Sequence, residues 1–245
     1  MNCPDCFAPT FKSGLYIYNM IQLLQQYQHI FHPVVLFNPS KEKLLLMDFS
    51  EKNKTLTEEI FNDTEKFSQY IDQQLVAANA TYGIGGYDEL RTVYARSKVF
   101  DADEPRRLHL GIDIWGKPDT TVFSPFGGVI HSFAFNDHYG DYGATIILQH
   151  QIKAVTFFTL YGHLSLKDIQ HLKEGKFVSM GEQVGHFGEA KENGNWPPHL
   201  HFQIIVNMQN YKGDYPGVCK LSEREKYLGN CPDPDIILQL MKFAK

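Results

Sequence analysis

Apolar and polar positions alternate in two textures along the chain. Residues 14–31, "GLYIYNMIQLLQQYQHIF", place Met20, Leu23, Leu24 and Tyr27 at helical spacing. "PVVLF" and "KLLLMDF" flank the polar stretch "NPSKEK" and predict a strand pair around a turn. "TLTEEIFNDTEKFSQYIDQQLVAANA" predicts a helix: Phe67, Ile71 and Leu75 recur every four residues, and Thr55 and Glu58 stand at capping-box spacing. The glycine-rich "TYGIGGYDEL" reads as punctuation that ends this region. From about residue 92 short runs of Val, Ile, Phe and Thr alternate with Gly, Pro, Asn and Asp, the pattern of many short strands. The expected fold class is α+β, with a small α+β N-terminal module over 1–91 and a β-rich domain over 92–245.

One strand pattern carries chemistry. In "WPPHLHFQI", alternation puts His199 and His201 on one face while Leu200 and Phe202 face the other way. In "RRLHLGIDIWG", His109 and Asp113 would lie roughly 13 Å apart on a straight strand at about 3.3 Å per residue, too wide to share an ion. Gly111 and the nearby Ile112, Ile114 and Trp115 disfavour a helix, which leaves an extended segment bent at Gly111. "TLYGHLS" adds His163 at a strand end. Two imidazoles and one carboxylate from His109, Asp113 and His201 make a three-ligand set suited to catalytic zinc, with His163 and His199 as further imidazoles. The remaining histidines (His29, His32, His131, His138, His150, His171 and His186) read as surface or hydrogen-bonded core residues.

Composition excludes several classes. The chain has 245 residues, 43% hydrophobic and 21% charged, as in an ordinary globular protein. A net charge of -5 with scattered Lys and Arg speaks against nucleic-acid binding. No run approaches the ~18 apolar residues of a membrane span, no P-loop is present, and no secretion signal is visible, so a cytoplasmic location is expected. Cys3 and Cys6 form one C-x-x-C, with Cys219 and Cys231 far downstream; the four are expected to be free thiols rather than a zinc ribbon. Tyr139, Tyr142, Tyr161 and Trp196 are candidates for a groove rim or for the core.

"HLGID", "YGHLS" and "PHLHF", in this order, resemble the lysostaphin-type zinc metallopeptidases, the glycyl-glycine endopeptidase family. "TTVFSPFGGVI", "GDYGATIILQH" and "VSMGEQVGHFG" extend the likeness over about residues 106–206. The resemblance implies an open antiparallel sheet with a groove, zinc held by His109, Asp113 and His201, and catalytic imidazoles at His163 and His199. It implies a peptide substrate, peptidoglycan-type or glycine-rich. Two departures stand out: the longer, charged "FGEAKENGNWPPHLH" before the histidine pair, and Gln203 where a glutamate often follows it. The tail "YPGVCKLSEREKYLGNCPDPDIIL" resembles the peptidase-like segment of phosphotransferase and aminotransferase fusions. The alternatives are a non-hydrolytic binding or adaptor module on the same fold, and a cytosolic zinc amidohydrolase acting on a small peptide or amide.

Overall fold

The computed structural model describes residues 13–245. Cys3 and Cys6 lie outside the described residues. Helices α1 (Ser13–Tyr27), α2 (Glu58–Asn62) and α3 (Thr64–Ala78) come early, and α4 (Arg224–Leu228) and α5 (Asp235–Leu238) late. Between and around them run strands β1 (Leu44–Leu46), β2 (Tyr82–Gly85), β3 (Glu89–Leu90), β4 (Leu108–His109), β5 (Ile112–Trp115), β6 (Thr121–Phe123) and β7 (Gly128–Asn136). They continue as β8 (Gly143–Ile152), β9 (Val155–Leu164), β10 (Phe177–Val178), β11 (Gln183–His186), β12 (His199–Ile205) and β13 (Val218–Cys219).

Eight strands form the main sheet in the order β1-β2-β5-β12-β9-β8-β7-β10. Only β1 and β2 pair in parallel; the other pairings in this sheet are antiparallel. A three-stranded sheet, β13-β4-β3, and the pair β11-β6 complete it. The first 91 residues therefore contribute two strands to the main sheet. One face of β12 sends Leu200, Phe202 and Ile204 into the largest core, which also holds Ile84, Ile112, Ile114 and, from α1, Met20 and Leu24. A second core is aromatic and mixes early residues (Phe49, Phe67, Tyr94 and Phe100) with Trp115 and Trp196. No helix among the described residues is long and apolar enough to cross a membrane.

Three local expectations are corrected. Residues 33–37 form no strand: Val34 and Val35 are buried in the core, and the Val34 carbonyl accepts from the Phe123 amide at the edge of β6. β1 pairs instead with β2, and its Leu46 amide donates to the Lys245 carbonyl. The expected helix over 55–80 is two helices, because the Asp63 carboxylate accepts from the amides of Glu65 and Lys66 and caps α3. Thr55 makes no capping box; its hydroxyl bonds Asn53 and Tyr70. The glycine-rich stretch is not mere punctuation. Gly83 and Gly85 lie in β2, where a Cβ would stand 2.7 Å from Met47 Cγ and 2.6 Å from the Met47 carbonyl, so their small size lets the preceding segment approach.

Candidate functional site

The register of the sheet brings the distant motifs together. His201 on β12 lies opposite Asp113 on β5 and Gly162 on β9, and Asp113 lies opposite Gly85 on β2. His109 ends β4, and the chain turns at Leu110–Gly111 before β5, so the two members of "HLGID" reach one point. The bend needs glycine for space: a Cβ at Gly111 would lie 2.5 Å from His201 Cε1 and 2.8 Å from the Phe202 carbonyl. Gly162 likewise leaves room for the Tyr142 ring, whose hydroxyl stands 3.4 Å from His201 Nε2.

One donor atom each from His109, Asp113 and His201 lies within 4.8 Å of the others, and all three residues are buried. His109 Nε2 is 2.9 Å from His201 Nδ1, and Asp113 Oδ1 is 3.2 Å from the former and 3.0 Å from the latter. The outer partners fix the ring protons. His109 Nδ1–H donates to the Gly86 carbonyl at 2.7 Å, and His201 Nε2–H donates to Gln203 Oε1 at 2.9 Å. The Gln203 amide is itself oriented by donating to the Pro216 carbonyl. Two nitrogen lone pairs and a carboxylate oxygen thus face one another with no proton left between them, a repulsive arrangement that a divalent cation relieves. Burial and the Arg91 charge push the His109 pKa down to about 3, so this imidazole is neutral near pH 7. Burial opposes ionisation of Asp113, yet the Arg91 guanidinium donating to its Oδ2 holds the carboxyl well below the usual range. The donor set fits zinc.

The second pair of imidazoles is arranged the same way. His163 Nδ1–H donates to the Asn193 carbonyl at 2.8 Å and His199 Nδ1–H to the Pro197 carbonyl at 2.7 Å, which leaves each Nε2 as a base. The rings stack on each other at 4.1 Å, and His199 also stacks on Trp115. Burial lowers the His199 pKa to about 4 and that of His163 in the same direction. His163 sits at φ 62°, a left-handed backbone rare for a residue with a Cβ, beside the bulge between β8 and β9.

Sequence reasoning missed Arg91. Its guanidinium is buried and donates to Asp113 Oδ2, to Glu89 Oε2 at 2.7 Å, to the Gly85 carbonyl at 3.2 Å and to the Tyr94 hydroxyl at 3.3 Å. The rings of Phe49 and Trp115 flank it. Gly86 carries no side chain where a Cβ would collide with this guanidinium. The segment "GGYDELR" thus orients both His109 and Asp113. Of the rim candidates, Tyr142 and Trp196 line a cavity beside the cluster, Tyr161 is buried in the core, and Tyr139 is exposed against Arg96. Cys219 and Cys231 are buried free thiols.

Residues 107–212 match the sequence profile of Peptidase family M23. The match covers 106 of the chain's 245 residues. The M23 segment holds all five residues singled out above; Arg91, Glu89 and Gly86 precede it. No curated protein matches the chain in sequence. Among solved structures, Helicobacter pylori Csd3 is 26% identical over 51% of this chain and 32% of its own, with a TM-score of 0.33. A zinc-containing peptidase from Vibrio cholerae is 25% identical over 45% of this chain and 32% of its own, with a TM-score of 0.34. The catalytic domain of lysostaphin from Staphylococcus simulans is 22% identical over 65% of this chain and 97% of its own, with a TM-score of 0.39. The chain spans about a third of the length of the first two. These superpositions are partial, and the likeness to the family rests on the sequence match.

Proposed function

We propose that the chain is a zinc-dependent peptidase that hydrolyses a peptide bond, with His109, Asp113 and His201 holding the metal and His163 and His199 moving protons. The observation that carries this reading is the convergence of three lone-pair donors whose ring protons are already committed to outer acceptors. A cation held there supplies Lewis acidity, polarising the scissile carbonyl and acidifying water.

The chain's own residues supply the rest. The free Nε2 of His163 or His199 takes a proton from the attacking water and returns it to the departing amine. Stacking at 4.1 Å makes double protonation unfavourable, so one imidazole is charged at a time. The intact set of five favours hydrolysis over the adaptor reading, since a scaffold has no need of strained, tautomer-fixed imidazoles. Metal analysis together with peptide hydrolysis tests it. His109→Ala is expected to lose both metal and turnover, and His163→Ala to keep the metal while losing about 10²–10⁴-fold in rate. Protein purified without metal, with turnover indifferent to His109→Ala, would refute it.

A further inference from the structure

The five site residues are 0–6% exposed, an unusual degree of burial for side chains that must meet a polymer. Asp113, His163, His199 and His201 line a cavity of about 250 Å³, just under the roughly 300–1,000 Å³ of pockets for drug-sized ligands. Phe49, Phe67, Tyr94 and Phe100, all upstream of the matched segment, wall one side, and residues 215–218 wall another. Val99 and Tyr211 are the exposed members of the lining, at 37% and 40%, and mark where it opens. The upstream wall is a connected set of rings: Phe49 packs edge-on against Phe67, and Phe67 and Tyr94 edge-on against Trp196. Buried rings packed in this way yield little.

Arg96, which does not line the cavity, ties this wall to the two loops that flank the site. Its Nη2 donates to the Thr64 hydroxyl at the start of α3, at 2.9 Å, and to the Tyr139 hydroxyl in the loop between β7 and β8, at 2.6 Å. Its Nε donates to the same Tyr139 oxygen at 3.1 Å. Both hydroxyls pass the chain on: Tyr139 donates to the Asn62 carbonyl at 3.3 Å, and Thr64 to the Asn195 carbonyl, in the loop before β12, at 3.0 Å. The neighbouring Ser97 hydroxyl donates to the Tyr139 carbonyl at 2.6 Å. The guanidinium carbon stands 4.7 Å from the Trp196 ring centre and 5.6 Å from that of Phe67. Nη1 is buried without an acceptor, so the head is seated inside this packing rather than in solvent. The cavity cannot widen on this side unless these contacts break.

We infer that Arg96 clasps the upstream aromatic wall over the proposed metal cluster, so that the site takes short peptides of small residues and shuts out long or cross-linked chains. This deepens the peptidase reading and rests on it. A long chain must run past the scissile bond in both directions, and the two walls close the sides along which it would run. Selection of this kind works through the clash imposed on the wrong substrate and needs no special contact to the right one. Arg96 touches no substrate; it is a positioning residue for the wall.

The test compares triglycine with a longer soluble peptide carrying the same glycines in its interior, and both with cross-linked murein, on the zinc-loaded protein. Triglycine is expected to exceed the longer peptide by about tenfold or more in kcat/KM, and murein to release nothing. Arg96→Met keeps much of the side-chain bulk but removes the clasp, and should narrow that ratio by raising the rate on the longer peptide. Tyr139→Phe removes only the shared hydroxyl and serves in its place if Arg96→Met fails to fold. A merely structural role would lower both rates together and leave the ratio alone. Calorimetric binding of the two peptides gives a readout independent of turnover, with the same preference expected. Equal kcat/KM for the short and the long peptide in the wild type, cleavage of murein, or a ratio unmoved in both variants overturns the inference. Preferential binding of triglycine with no turnover would uphold the wall and refute the peptidase reading.

Discussion

The guanidinium of Arg91 donates to the outer carboxylate oxygen of Asp113, while the inner oxygen of that carboxylate faces His109 and His201. A positive charge is thus stationed one side chain away from the cluster proposed to hold a cation. It neutralises Asp113 and fixes which oxygen is available, so the donor set is preorganised.

Arg91→Met should therefore destabilise the metal-free protein by about 3–5 kcal/mol, the cost of stranding a buried charge. Asp113→Asn in the same chain should recover part of that loss, because neither charge then remains. Chemical denaturation of both single variants and the double variant measures the coupling. Additive losses would show that the pair is not the cause.

Gln203→Leu removes the acceptor of the His201 ring proton. Zinc affinity, measured by chelator competition, should fall about 10–100-fold as the tautomer is released. Unchanged affinity would show that Tyr142 suffices to hold the ring.

Gly111→Ala places a methyl 2.5 Å from the His201 ring and 2.8 Å from the Phe202 carbonyl. Backbone cannot yield as a flexible side chain can, so a loss of about 1–3 kcal/mol and of zinc binding is expected. A folded variant with full zinc content would contradict the close approach.

A pH effect should arise far from the site. Burial lowers the His150 pKa to about 4; its ring lies between the Gly127 carbonyl and the Thr159 hydroxyl. The unfolded chain takes up this proton near pH 6.5 and the folded chain only near 4, so stability is full above 6.5 and falls as pH drops towards 4. The loss is about 3 kcal/mol, from roughly 1.4 kcal/mol per pH unit. The pH dependence of unfolding should be shallower in His150→Gln than in wild type across this window, and identical slopes would refute the assignment.

What could be read from the chain was whatever depended on local periodicity. His199 and His201 share a face because β12 alternates, and the bend between His109 and Asp113 follows from strand length and ligand reach. Arg91 was invisible because its partner lies 22 residues away and meets it only through the pairing of β2 with β5. Residues 33–37 have the composition of a strand, yet the edge they would have joined is taken by β2 and the chain's last residues. At 55–58 the capping pattern was present, but Asp63 offered a better cap a turn later.

β2 covers the side of β5 that β12 leaves open. Residues 107–212 cut free of the upstream strands would present β5 as a bare backbone edge, prone to pair with other chains. They would lose the Arg91 counter-charge in the same cut. The matched segment is therefore not a transplantable cassette: the cover on β5 and the charged partner of Asp113 both come from residues that precede it.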